Sequence, residues 1–93
     1  MTDARVSQHA EQSRFEVHVE GRRAGLADYV DRDGVRDFVH TEVDDAFEGQ
    51  GVGSTLIREA LDHTRADGLR VRPTCPFVRA WIEKHPDHQD LLA

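Results

Sequence analysis

The sequence predicts an α+β fold: an antiparallel β-meander, then helix, strand and helix, with the helices packed on the sheet. Three observations carry this. RFEVHVEG at 14–21 alternates apolar and polar residues, as a half-buried strand does. Turn signatures at Glu20-Gly21-Arg22 and Asp31-Arg32-Asp33-Gly34 join neighbouring strands by short connections. Beyond residue 51 the apolar period changes from two to between three and four.

Taken in order, residues 1–12 are polar and aperiodic and read as a flexible tail, which leaves 13–93 as the folded domain. In the first strand Phe15, Val17 and Val19 share one face, and Glu16, His18 and Glu20 the other. A second strand runs from about Ala24 to Val30. The third, VRDFVHTEV, runs from Val35 to Val43, with Phe38, His40 and Glu42 expected on one side. DDAFEGQGVG is a loop. Val52, Leu56, Ile57, Ala60 and Leu61 then mark an amphipathic helix that Gly68 caps. Leu69–Val71 is a short strand, parallel to the third because a helical crossover leads to it. Pro76 suits the first position of a second helix, PFVRAWIEKH, whose apolar stripe is Phe77, Val78, Trp81 and Ile82 and which Pro86 ends.

A chain of 93 residues makes one small domain with a thin core. Its net charge of −6 argues against the basic face that nucleic acid requires, though not against a local patch for a small anion. MTDARVSQHAEQSR lacks the apolar centre of a signal peptide, and no apolar run approaches the roughly 20 residues of a membrane span. The single cysteine, Cys75, can form no internal disulfide, which suits a reducing compartment. The expectation is a soluble cytoplasmic protein that engages neither nucleic acid nor membrane. Nothing in the sequence specifies an oligomeric state.

FEGQGVGSTLI at 47–57 places Gly49, Gly51 and Gly53 directly before a helix. Glycine there is costly unless the chain needs φ > 0 or a close approach to the backbone. Open N–H groups at a helix start suit an anion. The N–H groups of Gly49, Gln50, Gly51, Val52, Gly53 and Ser54 could wrap a pyrophosphate, with the Ser54 and Thr55 hydroxyls as further donors. Glu48 would have to point away. The pattern is neither a Walker A loop nor a dinucleotide fingerprint. The alternative is a tight turn that binds nothing.

FVHTEV at 38–43, FEGQGVGSTLI at 47–57 and PTCPFVRAWIEKHP at 73–86, in this order and spacing, resemble a short single-domain branch of the GNAT N-acetyltransferase superfamily. The resemblance covers about Phe15 to Leu92. It departs from the superfamily's usual loop in placing Glu48 where Arg or Gln is common. It implies a truncated GNAT-like fold and an acetyl-CoA-dependent N-acetyltransferase. The glycine loop would hold the coenzyme A pyrophosphate, and the backbone at Val43 the pantetheine arm. It also implies that Cys75 faces the acetyl thioester, either as a covalent acetyl carrier or as pocket lining. The N-terminal helices and late strands of longer members have no counterpart here, so the acceptor site should be open, suiting an exposed amine of a protein or a small amine.

By position Cys75 precedes a helix N-terminus, where thiolate is favoured. His40 is a candidate general base for the amine or for Cys75. Glu42 could orient it or serve as base itself, but reads first as a solvated strand carboxylate. Each residue also has a structural reading, as a buried inert thiol and a backbone-bonded histidine. His85-Pro-Asp-His88 is a poor metal pattern because Pro86 breaks the helix, and no metal is expected. Trp81 reads as core, while Arg79 and Lys84 could reach the adenosine phosphate. Two rival readings stay open beside the enzyme: a non-catalytic acyl-CoA-binding module, and an interaction protein whose loop is only a turn.

Overall fold

Side-chain alternation in the first half of the chain builds a sheet that the second half covers. The computed structural model describes residues 3–93. Its strands are β1 (Ala4–His9), β2 (Arg14–Val19), β3 (Arg22–Arg32), β4 (Val35–Val43) and β5 (Arg70–Pro73), and its helices are α1 (Val52–Ala66) and α2 (Pro76–Glu83). The sheet order follows the chain, β1-β2-β3-β4-β5. All neighbours are antiparallel except β4 and β5, which the α1 crossover makes parallel. The α+β arrangement is the one the sequence implies.

The tail is a correction. Residues 1–2 lie outside the described residues, but Ala4–His9 forms an edge strand paired along the whole of β2. Ala4 and Val6 pack against the core while Arg5 and Ser7 are exposed. An edge strand with one covered face needs few apolar residues, so two sufficed. The folded unit therefore begins well before residue 13. The fourth predicted strand also shifts slightly: Leu69 precedes it and Pro73 ends it.

A second correction concerns β4. Asp28 pairs with His40 but Tyr29 with Phe38, so Val39 is an extra residue, a β-bulge. The bulge reverses the alternation. Phe38 is fully buried with Tyr29 and Phe15. Past the bulge Thr41, opposite buried Ala27, takes the core side, and His40 and Glu42 are exposed. His40 does not share the side of Phe38.

Both helices contribute to one apolar cluster with the sheet, through Val52, Leu56, Ile57 and Leu61 of α1 and Val78, Trp81 and Ile82 of α2. Phe77 does not join it and is 43% exposed. Buried Arg36 is held by Asp31, Asp67 and Thr64 and lies over the Tyr29 ring at 4.4 Å. No described helix is long and apolar enough to cross a membrane.

After α2, a 3-10 segment (Pro86–Leu91) returns to β5, where Leu92 bridges Val71. Two hydrogen bonds from the Arg65 guanidinium tie down Asp90 and hold its carboxyl below the usual carboxylate range. Because the folded-state value is depressed, this stabilisation is present above the ordinary carboxylate value of 3.8 and is lost as pH falls below it. Urea midpoints should therefore fall less steeply between pH 5 and pH 3 in Asp90→Asn than in the parent chain. Equal slopes would mean that the tie contributes nothing.

Candidate functional site

The loop after β4 is built by local chemistry. Asp44 caps a short 3-10 turn (Asp45–Phe47) by accepting the Ala46 N–H at 2.9 Å. Phe47 packs against the core and Arg22 lies over its ring at 5.4 Å. The chain then turns through Gly49 at φ 80° and Gly51 at φ 75°, where a side chain would be strained although the space around both is open.

Thr55 makes the first backbone bond of α1, to the Gly51 carbonyl at 3.0 Å. Ahead of it, no acceptor among the described residues takes the N–H groups of Gly51, Val52, Gly53 and Ser54. The predicted cradle divides here. The Gln50 N–H is engaged by the Phe47 carbonyl at 3.3 Å. The Thr55 hydroxyl donates to Gly51 at 3.1 Å, so neither donor of Thr55 is open. The Ser54 oxygen instead accepts the Trp81 indole N–H at 2.9 Å.

These groups face a cavity of about 240 Å³ that Val43, Phe47, Gly51, Ser54 and Phe77 help to line. Glu48 is exposed but lines it too. Gly53 fits between Val43 and Phe77: a Cβ there would lie 2.9 Å from the Phe77 ring and 3.2 Å from Val43. Sequence reasoning placed Phe77 in the core stripe. The sign against this was its place at the margin of a stripe that Val78, Trp81 and Ile82 complete.

Before β4 reaches Val43 the sheet splits. β4 pairs with β5 only from Val35 to Phe38, after which its far edge has no neighbouring strand. The Cys75 N–H still reaches the Phe38 carbonyl at 2.8 Å, which fixes Cys75 at the fork. Cys75 is the N-cap residue of α2 and is 6% exposed. Its thiol donates to the Thr41 hydroxyl at 3.4 Å. Thr41, which the alternation had turned outward, is thus the residue that the structure brings to Cys75. His40 pairs instead with Glu42, at 2.8 Å, on the exposed side. A strand carrying Phe38 on an even position but Val39, Thr41 and Val43 on odd ones hinted at the reversal.

The remaining histidines have structural partners. His85 stacks on Trp81 at 3.7 Å and donates from Nδ1 to its carbonyl, and buried His88 meets Asp62 at 2.9 Å. Among the described residues, no three metal-ligating side chains cluster. Lys84 and Phe77 border a second groove, of about 190 Å³, along α2, while Arg79 is exposed.

A family model described as GCN5-related N-acetyl-transferase matches residues 14–91. Protein NATD1 of Xenopus tropicalis is 32% identical over 85 residues, spanning 88% of this chain and 77% of that protein. The solution structure of a GCN5-like protein from Staphylococcus aureus superposes with a TM-score of 0.75 at 26% identity, covering 100% of this chain and 91% of that one. Aminoglycoside N-acetyltransferase AAC(6')-Iy, solved in complex with CoA, shares the fold with a TM-score of 0.55 at 21% identity, over 82% of this chain and 57% of that one.

Proposed function

Because the chain belongs to the GCN5-related N-acetyltransferase family, we propose that it transfers an acetyl group from acetyl-CoA to an exposed amine of a protein or small molecule. The observation that carries this reading is the run of open N–H groups from Gly51 to Ser54 on a cavity that Val43, at the unpaired end of β4, also lines. A pyrophosphate on those groups leaves the pantetheine arm to follow Val43 and the open edge of β4 toward the thiol. In that pose the Gly49 and Gly51 conformations, and not side-chain charge, supply the fit.

His40 serves as base for the incoming amine in this scheme, and not for Cys75. Its exposed pair with Glu42 lies on the outer side of β4, where an acceptor can approach. His40→Ala should lower turnover roughly tenfold to a hundredfold, keep coenzyme affinity, and recover in part with added imidazole. Unaltered turnover would reduce His40 to a strand residue.

The primary test is turnover of acetyl-CoA with a panel of amines, including peptides with free N-termini. The end of β4 beyond Phe38, which no described strand walls on its far side, favours a second reading, an acyl-CoA-binding module without turnover, while Glu48 on the cavity wall opposes a bound pyrophosphate in either reading. Tight binding with no acetylated product from any amine selects that reading. A cytoplasmic location, where acetyl-CoA is available, fits this scheme.

A further inference from the structure

Serine and threonine stand side by side at 54 and 55, yet the fold treats their hydroxyls differently. Thr55 bonds back to its own helix, as Thr64 does to the Ala60 carbonyl at 2.8 Å. Ser54 is reached from outside the helix, by the indole of the single tryptophan. An indole N–H can only donate, so the Ser54 oxygen is fixed as its acceptor and the serine proton must be given elsewhere. Ser54 lines the cavity.

The indole is itself held from several directions. His85 stacks on it at 3.7 Å with ring planes 7° apart, His88 meets it edge-on at 5.0 Å, and Arg58 lies over it at 5.3 Å. It is 6% exposed. A group so confined cannot follow the serine if the hydroxyl rotates, so the serine must follow the indole.

From this we infer that Trp81 is a positioning residue for the anion cradle: it orients Ser54 as the hydroxyl that donates to the bound pyrophosphate, while Thr55 takes no part. The inference rests on the reading that the loop binds coenzyme A. It adds a side-chain donor to the backbone N–H groups, and its control sits on the other helix.

Calorimetric titration of the full chain with coenzyme A tests it. Ser54→Ala should weaken binding about tenfold, as loss of one hydrogen bond to a charged group does. Trp81→Phe should weaken it by a smaller factor, and the double variant should be no weaker than Ser54→Ala alone, since the indole acts through the serine. Thr55→Val should bind like the parent. Pantetheine, which lacks the pyrophosphate, should bind all four variants and the parent alike. Trp81 fluorescence supplies a readout in which the indole is untouched: coenzyme A should change it in the parent and change it less in Ser54→Ala. Parent-like affinity in Ser54→Ala, equal losses in Thr55→Val and Ser54→Ala, or multiplying losses in the double variant would each overturn the inference. If Gly51→Val weakens binding while Ser54→Ala does not, the cradle stands and only the Trp81 role falls. If the parent chain binds no coenzyme A, both fall.

Discussion

Gly51→Val should abolish the rise in melting temperature that coenzyme A gives the parent chain. A ligand at a hundred times its dissociation constant stabilises by about 2.7 kcal/mol. For a domain of this size each kcal/mol moves the midpoint by roughly 4–8 °C, so the parent shift should be large. Gly51 adopts φ 75°, the left-handed region, in open space. Valine there costs about 1–2 kcal/mol in strain and meets no clash that could unfold the protein. The loop relieves that strain by leaving the left-handed region, which turns the N–H groups of α1 away from a common centre. The core residues of α1, Val52, Leu56 and Ile57, remain buried, so the helix survives. Gly34→Val is the matched control, because Gly34 has φ 79° in equally open space at the far hairpin. It should lower the melting temperature similarly and keep the coenzyme response. A response that persists in Gly51→Val would place the coenzyme elsewhere.

Much of this site was legible before the structure because glycine before a helix has few physical explanations. The loop and the crossover follow from turn chemistry and period alone, whereas the fork at Cys75 appears only in the strand pairing. What escaped were features in which one residue changes the meaning of its neighbours. Val39 adds a residue to β4 and thereby exchanges His40 for Thr41 at the thiol. β1 escaped because an edge strand buries little, and Ala4 and Val6 are a faint signal in a polar segment. Trp81 reads correctly as core but incompletely: burial describes its ring, while the partner of its N–H, Ser54, comes from the packing of the two helices. Ser54 and Thr55 look alike as sequence and differ only in what lies across from them.

The other large effect concerns Cys75 and decides the chemical route. If the thiol carries the acetyl group, its sulfur attacks the thioester carbonyl, the bond to the coenzyme sulfur breaks, and the thiol proton leaves with coenzyme A. The amine then attacks the acetyl-cysteine carbonyl, the bond to the cysteine sulfur breaks, and the amine's proton passes through solvent to the departing thiolate, which restores the thiol. Exchange between two thioesters is near thermoneutral, so the intermediate persists when no amine is present. Cys75 is placed for this by its N–H bond to Phe38, which holds it at the fork, and by a hydroxyl partner in Thr41. Burial at 6% exposure shields the thioester from water. Acetyl-CoA alone should therefore leave one acetyl group on the protein, mapped to Cys75 by mass spectrometry and released by hydroxylamine. Cys75→Ala should lose the label and slow transfer by about a hundredfold or more while coenzyme affinity holds, since the loop makes the phosphate contacts. Cys75→Ser is the sharper variant, because serine keeps the size and hydrogen bonding of the side chain but is a far weaker nucleophile. Full turnover in Cys75→Ser, with no acetyl-protein formed by the parent chain, would leave direct attack of the amine on acetyl-CoA as the route and the thiol as part of the pocket wall.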